Sequence, residues 1–160
     1  MATITVRRAS DADIQDLIRL LVQVNRVHHE GRPDLFNLAT KYSPSDLSAL
    51  LADGHFPVFV AEMDGHVVGH AFCQIIEHKG ERLLHDIKTL YIDDICVDEK
   101  ARRKHVGQHL YEAVLAFARD IDCYNVTLNV WSCNPGACAF YENMGMVPQK
   151  IGLETILKKD

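Results

Sequence analysis

The sequence predicts a mixed α/β (α+β) fold, in which about four helices flank a mostly antiparallel central sheet of about seven strands. Two observations carry this prediction. The dipeptide Asp64-Gly65, a strong hairpin signal, joins two β-rich runs into an antiparallel pair, residues 56–63 and 66–77. A strand, a helix and a strand then follow in order at residues 88–97, 106–121 and 126–130. That order forms a βαβ unit, whose two strands run parallel.

The N-terminal part of the chain predicts one strand and two helices. Residues 3–8 alternate enough to be a strand, and Ser10 followed by Asp13 is typical of a capping box. The next helix has its apolar residues on one face, namely Ile14, Leu17, Ile18, Leu21 and Val24. Polar residues 30–34 end this helix, and Ser43 starts a shorter one over residues 47–53.

The C-terminal part predicts a further helix and two short strands. A helix over residues 134–144 has Asn134 as its N-cap and Gly145 as its stop. Short strands near residues 147–150 and 153–157 complete the predicted sheet.

The composition is that of an ordinary soluble protein with one core. Of the 160 residues, 48% are hydrophobic and 24% are charged, and no repeat or linker divides the chain, so we expect a single domain over residues 1–160. The formal net charge of −5 disfavours nucleic acid and anionic membrane as partners. The first residues lack the apolar core of a signal peptide, and no apolar run approaches about 18 residues, which predicts a cytoplasmic protein.

Neither the cysteines nor the histidines predict a metal site. The five cysteines are an odd number and lie mostly in apolar runs, which favours buried free thiols over disulfides. Cys133 and Cys138 are too irregularly spaced for a zinc knuckle. His105 and His109 are four residues apart on a predicted helix, but the spacing alone does not make a metal site, and none is expected.

Residues 102–107 form a basic connection between a predicted strand and the start of a helix. Positive charge is concentrated here in an otherwise acidic protein, at Lys100, Arg102, Arg103 and Lys104. A helix start offers unpaired backbone N–H groups and the positive end of the helix dipole, which together bind phosphate. A solvated run of charge at a helix start is the alternative interpretation.

Asn134 and Tyr141 are seven residues apart, so they share one face of the predicted helix. An amide and a phenol on one face suit a bound ligand, yet each also has a structural explanation. Asn134 is explained as an N-cap, and Tyr141 as a core aromatic residue beside Phe140. From these residues alone, both interpretations stay open.

Asp93 and Asp94 interrupt a predicted strand that is otherwise apolar. Strand alternation sends their side chains to opposite faces of the sheet. Burying two carboxylates is costly, so each needs a function or a partner. For Asp94 we favour a loop cap or a pairing with an arginine.

The basic connection and the helix with the phenol both match the pattern of one superfamily. The string Asn-Val-Trp, Asn-Pro, Ala, Phe-Tyr-Glu and Gly-Met over residues 129–146 matches its second motif at nearly every diagnostic position. Arg102 and Gly107 fill the first and last positions of its signature Q/R-x-x-G-x-G/A, and His105 replaces the first glycine. Over about residues 56–157 the chain therefore resembles the GNAT superfamily of acetyl-CoA-dependent N-acetyltransferases.

The resemblance implies a single N-acetyltransferase domain with acetyl-CoA as cosubstrate, no metal, and the amine of a small molecule as acceptor. The amine attacks the thioester directly, and a homodimer is compatible with the resemblance because small members are commonly dimers. The cofactor-binding residues that it implies are Ile95, Cys96, Val97, Arg102, Arg103, Lys104, His105, Val106, Gly107, Gln108, Asn134 and Tyr141. The catalytic residues that it implies are Tyr141, near the sulfur, and Asp93, as a general base.

Reference pKa values limit what these two residues can do. A phenol has a pKa of about 10 and the leaving thiol one of roughly 8.5, so proton transfer from an unperturbed Tyr141 is uphill by roughly 2 kcal/mol. Tyr141 is therefore either a hydrogen-bond stabiliser of the thiolate or an acid with a lowered pKa. A lysine-like amine with a pKa near 10.4 needs a base such as Asp93 more than an α-amine near 7.8 does.

Several alternatives remain open. One is a protein N-terminal acetyltransferase of the ribosomal-protein alanine type, and another is a non-catalytic sensor that binds acyl-CoA. Nucleic-acid binding through the patch around Arg102 is disfavoured by the net charge of −5. Cys96 as a covalent acyl carrier is a lesser route for the enzyme. Residues 28–36 lie between the first two helices, which flank the acceptor cleft in this fold, and they indicate no particular acceptor.

Overall fold

The computed structural model describes residues 2–158, and the chain divides into two compact units, Met1–Asn129 and Val130–Asp160. The first unit holds a five-stranded sheet in the order β1-β2-β3-β4-β5. Its elements are β1 (Ile4–Arg8), α1 (Ile14–Gly31), α2 (Pro44–Ala52), β2 (Val58–Met63), β3 (His66–Glu77), β4 (Lys88–Val97), α3 (Val106–Asp120) and β5 (Asn125–Leu128). The second unit contains α4 (Pro135–Asn143).

The sheet confirms the predicted mixed topology. Strands β1 to β4 pair antiparallel in sequence order, and β5 pairs with β4 in parallel, as the βαβ prediction requires. The β2–β3 turn has positive φ at both Asp64 (53°) and Gly65 (77°). A two-residue turn of that geometry matches the right-handed twist of the strands that it joins.

Helices pack on both faces of the sheet. On one face, Phe72 of β3 packs in a buried cluster with Leu17 and Leu20 of α1. On the other face, Gly69 lies against Val106 and Leu110 of α3. Consecutive residues of a strand point to opposite faces, so β3 contacts α1 through residues such as Phe72 and α3 through residues such as Gly69. The helix α3 of the βαβ unit and the helix α1 therefore both pack on the strand pair β3 and β4, from opposite faces.

A β-bulge interrupts β4 where the two consecutive aspartates lie. Phe72 pairs with Asp94 and Cys73 with Ile92, which leaves Asp93 as an extra residue in the ladder. The expectation that Asp93 and Asp94 point to opposite faces is therefore wrong, because a bulge breaks strict alternation. Both carboxylates have their partners on the α1/α2 side of the sheet, as described below.

The second unit contains the predicted helix but not the predicted strands. Asn134 caps α4, and its Oδ1 accepts a hydrogen bond from the Ala137 N–H at 3.1 Å. Gly145 follows the helix with a φ of 94°. Residues 147–150 and 153–157 have no regular secondary structure, so the prediction of two strands there was wrong and the sheet has five strands. Their apolar side chains, those of Val147, Leu153, Ile156 and Leu157, are exposed.

Within residues 2–158, no helix combines the length and the apolar character needed to cross a membrane.

Candidate active site

The connection between β4 and α3 is anchored to α1 through Asp98. This carboxylate pairs with Arg19 of α1 and accepts a hydrogen bond from the Lys100 N–H at 3.1 Å. Burial acts to raise the pKa of Asp98, but hydrogen bonds from Lys100, Arg19 and Gln23 outweigh burial and hold the pKa below its usual value. The start of the basic loop is thus fixed to the helical layer by a charged hydrogen-bond network.

The loop itself has a left-handed backbone at two non-glycine residues. His105, which directly precedes α3, has φ 64° and ψ 21°, and Arg103 has φ 67°. Left-handed backbone favours glycine, which explains why a glycine fits the position of His105 in the loop signature. The side chains of Arg102, Arg103, Lys104 and His105 are exposed. The imidazole that replaces the glycine therefore projects into solvent, away from the buried first residue of the helix, Val106.

The end of β4 has an open edge beside this loop. The β4–β5 ladder runs from Thr89 opposite Asn125 to Ile92 opposite Leu128. On its other side, β4 stays paired with β3 as far as Val97. Within residues 2–129, the β4 main chain beyond Ile92 therefore has a strand on one side only. An extended ligand can pair with such an edge as an added strand.

Cys96 lies in this segment but is built as a core residue. Its side chain is buried and its Sγ lies 3.5 Å from the Leu20 carbonyl oxygen, to which the thiol donates. Burial raises the pKa of Cys96 to about 12. A thiolate is therefore strongly disfavoured, which argues against Cys96 as a covalent acyl carrier.

Asp93, the bulged residue, forms an ion pair with Lys41 from the segment between α1 and α2. The ammonium also lies 5.4 Å from the centre of the Tyr42 ring, which in turn packs on Phe72. Burial acts to lower the pKa of Lys41, but the hydrogen bond to Asp93, the charge of Asp93 and the interactions with Tyr42 together outweigh burial and raise the pKa. The side chains are 54% exposed for Lys41 and 31% exposed for Asp93, so a competing cation has access to the pair.

Asp94 has a different partner, the buried imidazole of His70 on β3. Nε2 of His70 lies 3.0 Å from Oδ2 of Asp94, and the His70 side chain is fully buried. Its ring packs edge-on against Phe72 at 4.8 Å between centroids. The predicted partner for Asp94, an arginine or a loop cap, was wrong. His70 was not among the predicted site residues, although a histidine inside the apolar run of β3 was a usable signal.

In the second unit, α4 carries the other two predicted site residues. Asn134 fulfils the N-cap role, and its amide stays half-buried at the start of the helix. Tyr141 is also half-buried, with its ring 5.1 Å from that of Phe140 in an edge-to-face arrangement. The N-cap interpretation of Asn134 is confirmed, whereas Tyr141 is half-buried and not a core residue, and a role in binding or catalysis remains a prediction for each.

The histidine pair on α3 has a structural explanation. His109 lies one turn after His105, and both its backbone N–H and its Nδ1 lie within hydrogen-bond distance of the His105 carbonyl oxygen, at 3.1 and 2.8 Å. In the part of the chain from residue 2 to 158, no three histidine, cysteine, aspartate or glutamate residues come together as a metal site.

A family model described as the acetyltransferase (GNAT) family matches residues 23–146, more than three quarters of the chain. The chain belongs to the GNAT acetyltransferase family. This family match spans α2, the sheet from β2 to β5, and α4. It therefore contains the open edge of β4, the basic loop and the carboxylate pair.

Similar proteins agree with this family and differ in their acceptors. The N-alpha-acetyltransferase 30 of Xenopus laevis is 27% identical over 145 residues, which cover 91% of this chain but 46% of that protein. The chain thus spans less than half the length of this curated relative. A mutant of the BH1408 protein from Bacillus halodurans has a TM-score of 0.92 at 27% identity, with 96% of this chain and 99% of that one covered.

An aminoglycoside acetyltransferase from an uncultured soil metagenomic sample, solved with sisomicin, shares the fold at a TM-score of 0.74. It is 21% identical, and the alignment covers 97% of each chain. The family match supports an acyltransferase, the solved structures share its fold, and the acceptor of this member stays unassigned.

Proposed function

We propose that the protein is an N-acetyltransferase that transfers an acetyl group from acetyl-CoA to the amine of a small molecule by direct attack. The observation that carries this proposal is the open edge of β4 next to the left-handed loop at the start of α3. The edge suits an extended amide-containing arm, and the loop suits a pyrophosphate. Both features lie in the first unit and within the residues matched by the GNAT model.

The loop supports phosphate binding through its backbone. Successive N–H groups around a left-handed residue form a concave anion-binding nest, and a helix start adds its positive dipole end. In this proposal the N–H groups from Arg103 to Gln108, which include those of Lys104, His105, Val106 and Gly107, hold the pyrophosphate, and the exposed side chain of Arg102 adds charge. The main chain of Ile95, Cys96 and Val97 pairs with the pantetheine arm, and Asn134 contacts the same arm.

The bound acetyl-CoA would supply an activated acyl group as a thioester. The acceptor amine attacks the thioester carbonyl carbon, a C–N bond forms, the C–S bond breaks, and the sulfur leaves as a thiolate. We assign Tyr141 to that thiolate, as a hydrogen-bond donor or as an acid. Full proton transfer from an ordinary phenol is uphill by roughly 2 kcal/mol, so hydrogen bonding alone is the less demanding role.

On the acceptor side we assign proton removal to Asp93. An ammonium already occupies this carboxylate, that of Lys41, and the acceptor must displace it to reach Asp93. Surface ion pairs contribute only about 0–1 kcal/mol, so displacement of a half-exposed lysine costs little. We therefore interpret Lys41 as a replaceable partner of Asp93, and not as part of a salt bridge that stabilises the fold.

One observation favours a second candidate, acetylation of a peptide α-amine. The relative from Xenopus laevis bears the name N-alpha-acetyltransferase 30 and aligns with 91% of this chain. Because an α-amine has a pKa of about 7.8, such an acceptor depends less on Asp93 than an alkylamine does. Replacement of Asp93 by asparagine should thus harm alkylamine turnover more than peptide turnover.

Calorimetry with acetyl-CoA tests the cofactor side first. Binding should stabilise the protein by about 2.7 kcal/mol when the ligand is a hundredfold above its Kd. Arg102→Glu should weaken this binding, whereas Arg82→Glu, at an exposed arginine in the β3–β4 connection, is the matched charge-reversal control. Absence of binding at millimolar acetyl-CoA would refute the proposed function.

An amine screen then tests the acceptor side, with alkylamines, sisomicin and short peptides as candidates. Tyr141→Phe tests the thiolate assignment, since it removes the hydroxyl and keeps the ring packed against Phe140. Turnover should fall while the Kd for acetyl-CoA changes little. Unchanged turnover would show that Tyr141 is not a catalytic residue.

A further inference from the structure

His70 is a polar residue in a place that packing alone does not explain. Its side chain is fully buried between β2 and β4, opposite Val60 and Cys96 in the ladders. Within residues 2–158, its Nδ1 is a buried nitrogen without a hydrogen-bond partner. An unsatisfied buried polar group costs about 1–3 kcal/mol, so an apolar residue would stabilise the fold better here.

The geometry determines which nitrogen of His70 carries the proton. Nε2 lies 3.0 Å from Oδ2 of Asp94, and an ionised carboxylate only accepts hydrogen bonds. The hydrogen is therefore on Nε2, and Nδ1 carries a lone pair. A proton on Nδ1 would add a buried N–H donor without an acceptor, which is costly. His70 thus acts as a buried donor that orients the Asp94 carboxylate.

Asp94 lies next to Asp93, the carboxylate whose lysine partner an acceptor can replace. Asp93 and Asp94 are consecutive at the bulge of β4, and both have their partners on the α1/α2 side. Lys41 is ion-paired with Asp93, whereas Asp94 is held by an uncharged imidazole. The bulge therefore places two carboxylates, Asp93 and Asp94, beside the single ammonium of Lys41.

The ammonium of Lys41 indicates the chemistry that this place accepts. It contacts a carboxylate and lies near an aromatic face, that of Tyr42, which are two groups that attract organic cations. An acceptor ammonium can take the same place, next to the Asp94 carboxylate that His70 orients. An acceptor with its own carboxylate or phosphate near the amine would meet two carboxylates at the same site.

We propose that His70 is a positioning residue of the acceptor site, which holds Asp94 as a fixed anion beside Asp93 and so selects acceptors whose amine is a primary alkylammonium without a nearby anionic group. This inference rests on the proposed function, because it assigns the acceptor class of the same enzyme. It extends that function to two residues, His70 and Asp94, to which the proposed function gives no role.

Two small amines test the selectivity, n-butylamine and 4-aminobutanoate, which share a four-carbon chain and differ by a carboxylate. Their binding to the complex of the protein with coenzyme A is measured by NMR titration, so that no turnover is needed. The wild type should bind n-butylammonium about tenfold or more tightly than 4-aminobutanoate, equivalent to about 1.4 kcal/mol. Equal binding of the two amines, or no binding of n-butylammonium, would overturn the inference.

Variants then test the role of His70. His70→Phe removes the donor and should abolish the preference, whereas His70→Gln keeps an N–H donor and should retain most of it. Asp94→Asn keeps the size of the side chain and removes its charge, so it should also abolish the preference. If His70→Phe does not fold, Asp94→Asn still tests the inference. Val60→Ala, a buried cavity mutation opposite His70, is the control for lost stability.

Three outcomes overturn the role of His70: an unchanged preference in His70→Phe, an unchanged preference in Asp94→Asn, or an equal loss in Val60→Ala. Binding of coenzyme A is measured for each protein in the same series. If the wild type binds coenzyme A and shows no preference between the amines, the selectivity inference fails and the proposed function stands. If the wild type binds neither acetyl-CoA nor coenzyme A, the proposed function itself fails.

Discussion

Replacement of Gly69 by alanine should disturb both the fold and the cofactor site. A Cβ at this position would lie 3.0 Å from the Cys96 carbonyl oxygen, 3.0 Å from Leu110 Cδ1 and 3.1 Å from Val106 Cγ1. The first contact is to backbone, and the other two are to buried side chains of α3. Leu110 can change its rotamer only within a filled core, so α3 or β4 has to move.

The expected magnitude follows from overpacking. An extra carbon in a filled core costs typically about 1–3 kcal/mol, and three simultaneous contacts put Gly69→Ala in the middle of that range, at about 2 kcal/mol. Val106 is the first residue of α3, and Cys96 lies on the open edge of β4. A shift of either one changes the proposed acetyl-CoA site, so the Kd should rise by about five- to tenfold, or roughly 1–1.4 kcal/mol.

Urea denaturation and calorimetry with acetyl-CoA measure the two effects. Gly54→Ala is the matched control, because nothing lies within 4 Å of its added Cβ. It should leave the free energy of unfolding within about 0.5 kcal/mol of wild type or raise it slightly. The reasoning is refuted if Gly69→Ala unfolds within about 0.5 kcal/mol of wild type and binds acetyl-CoA with an unchanged Kd.

Three further predictions concern single side chains. Lys41→Met should lower the KM for alkylamine acceptors several-fold, because the acceptor no longer has to displace a lysine from Asp93. Lys79→Met, which removes another exposed ion-paired lysine, should leave the KM unchanged. Equal effects of the two substitutions on the KM would show that Lys41 is not a replaceable cation. His105→Gly should raise the free energy of unfolding by about 1 kcal/mol in urea denaturation, because φ is positive there, and a loss of stability would count against this. Arg7 hydrogen bonds lower the pKa of Asp13 from 3.8, so their stabilisation is complete above about pH 4 and is lost as the pH falls through the lower folded value. Asp13→Asn should therefore flatten the decline of the unfolding free energy below pH 4, and an equally steep decline would contradict the assignment.

Local chemistry explains which elements were predicted correctly. The hairpin turn at Asp64 and Gly65 and the cap at Asn134 are set by a few neighbouring residues, and the structure confirms each of them. The βαβ unit was also correct, since its three elements follow one another with short connections and only one parallel arrangement is common.

Features that depend on partners distant in sequence were not predicted. The bulge at Asp93 depends on the register between β3 and β4, and no residue near it distinguishes a bulge from plain alternation. The His70–Asp94 pair joins residues 24 apart in the chain, so composition alone gave no reason to pair them. Residues 147–157 contain several apolar residues, but a strand also needs a partner strand for its backbone ladder, which composition does not supply.

The open edge of β4 has a consequence for how the protein behaves in solution. Within residues 2–129, β4 beyond Ile92 has a partner strand on one side only, and such backbone can pair with an extended chain of a second molecule, so we expect self-association at this edge. A ligand paired along this edge would cover the same groups. Light scattering of concentrated protein should therefore show slower aggregation with excess coenzyme A than without it. Bound coenzyme A would then protect the edge of β4 from pairing with a second molecule.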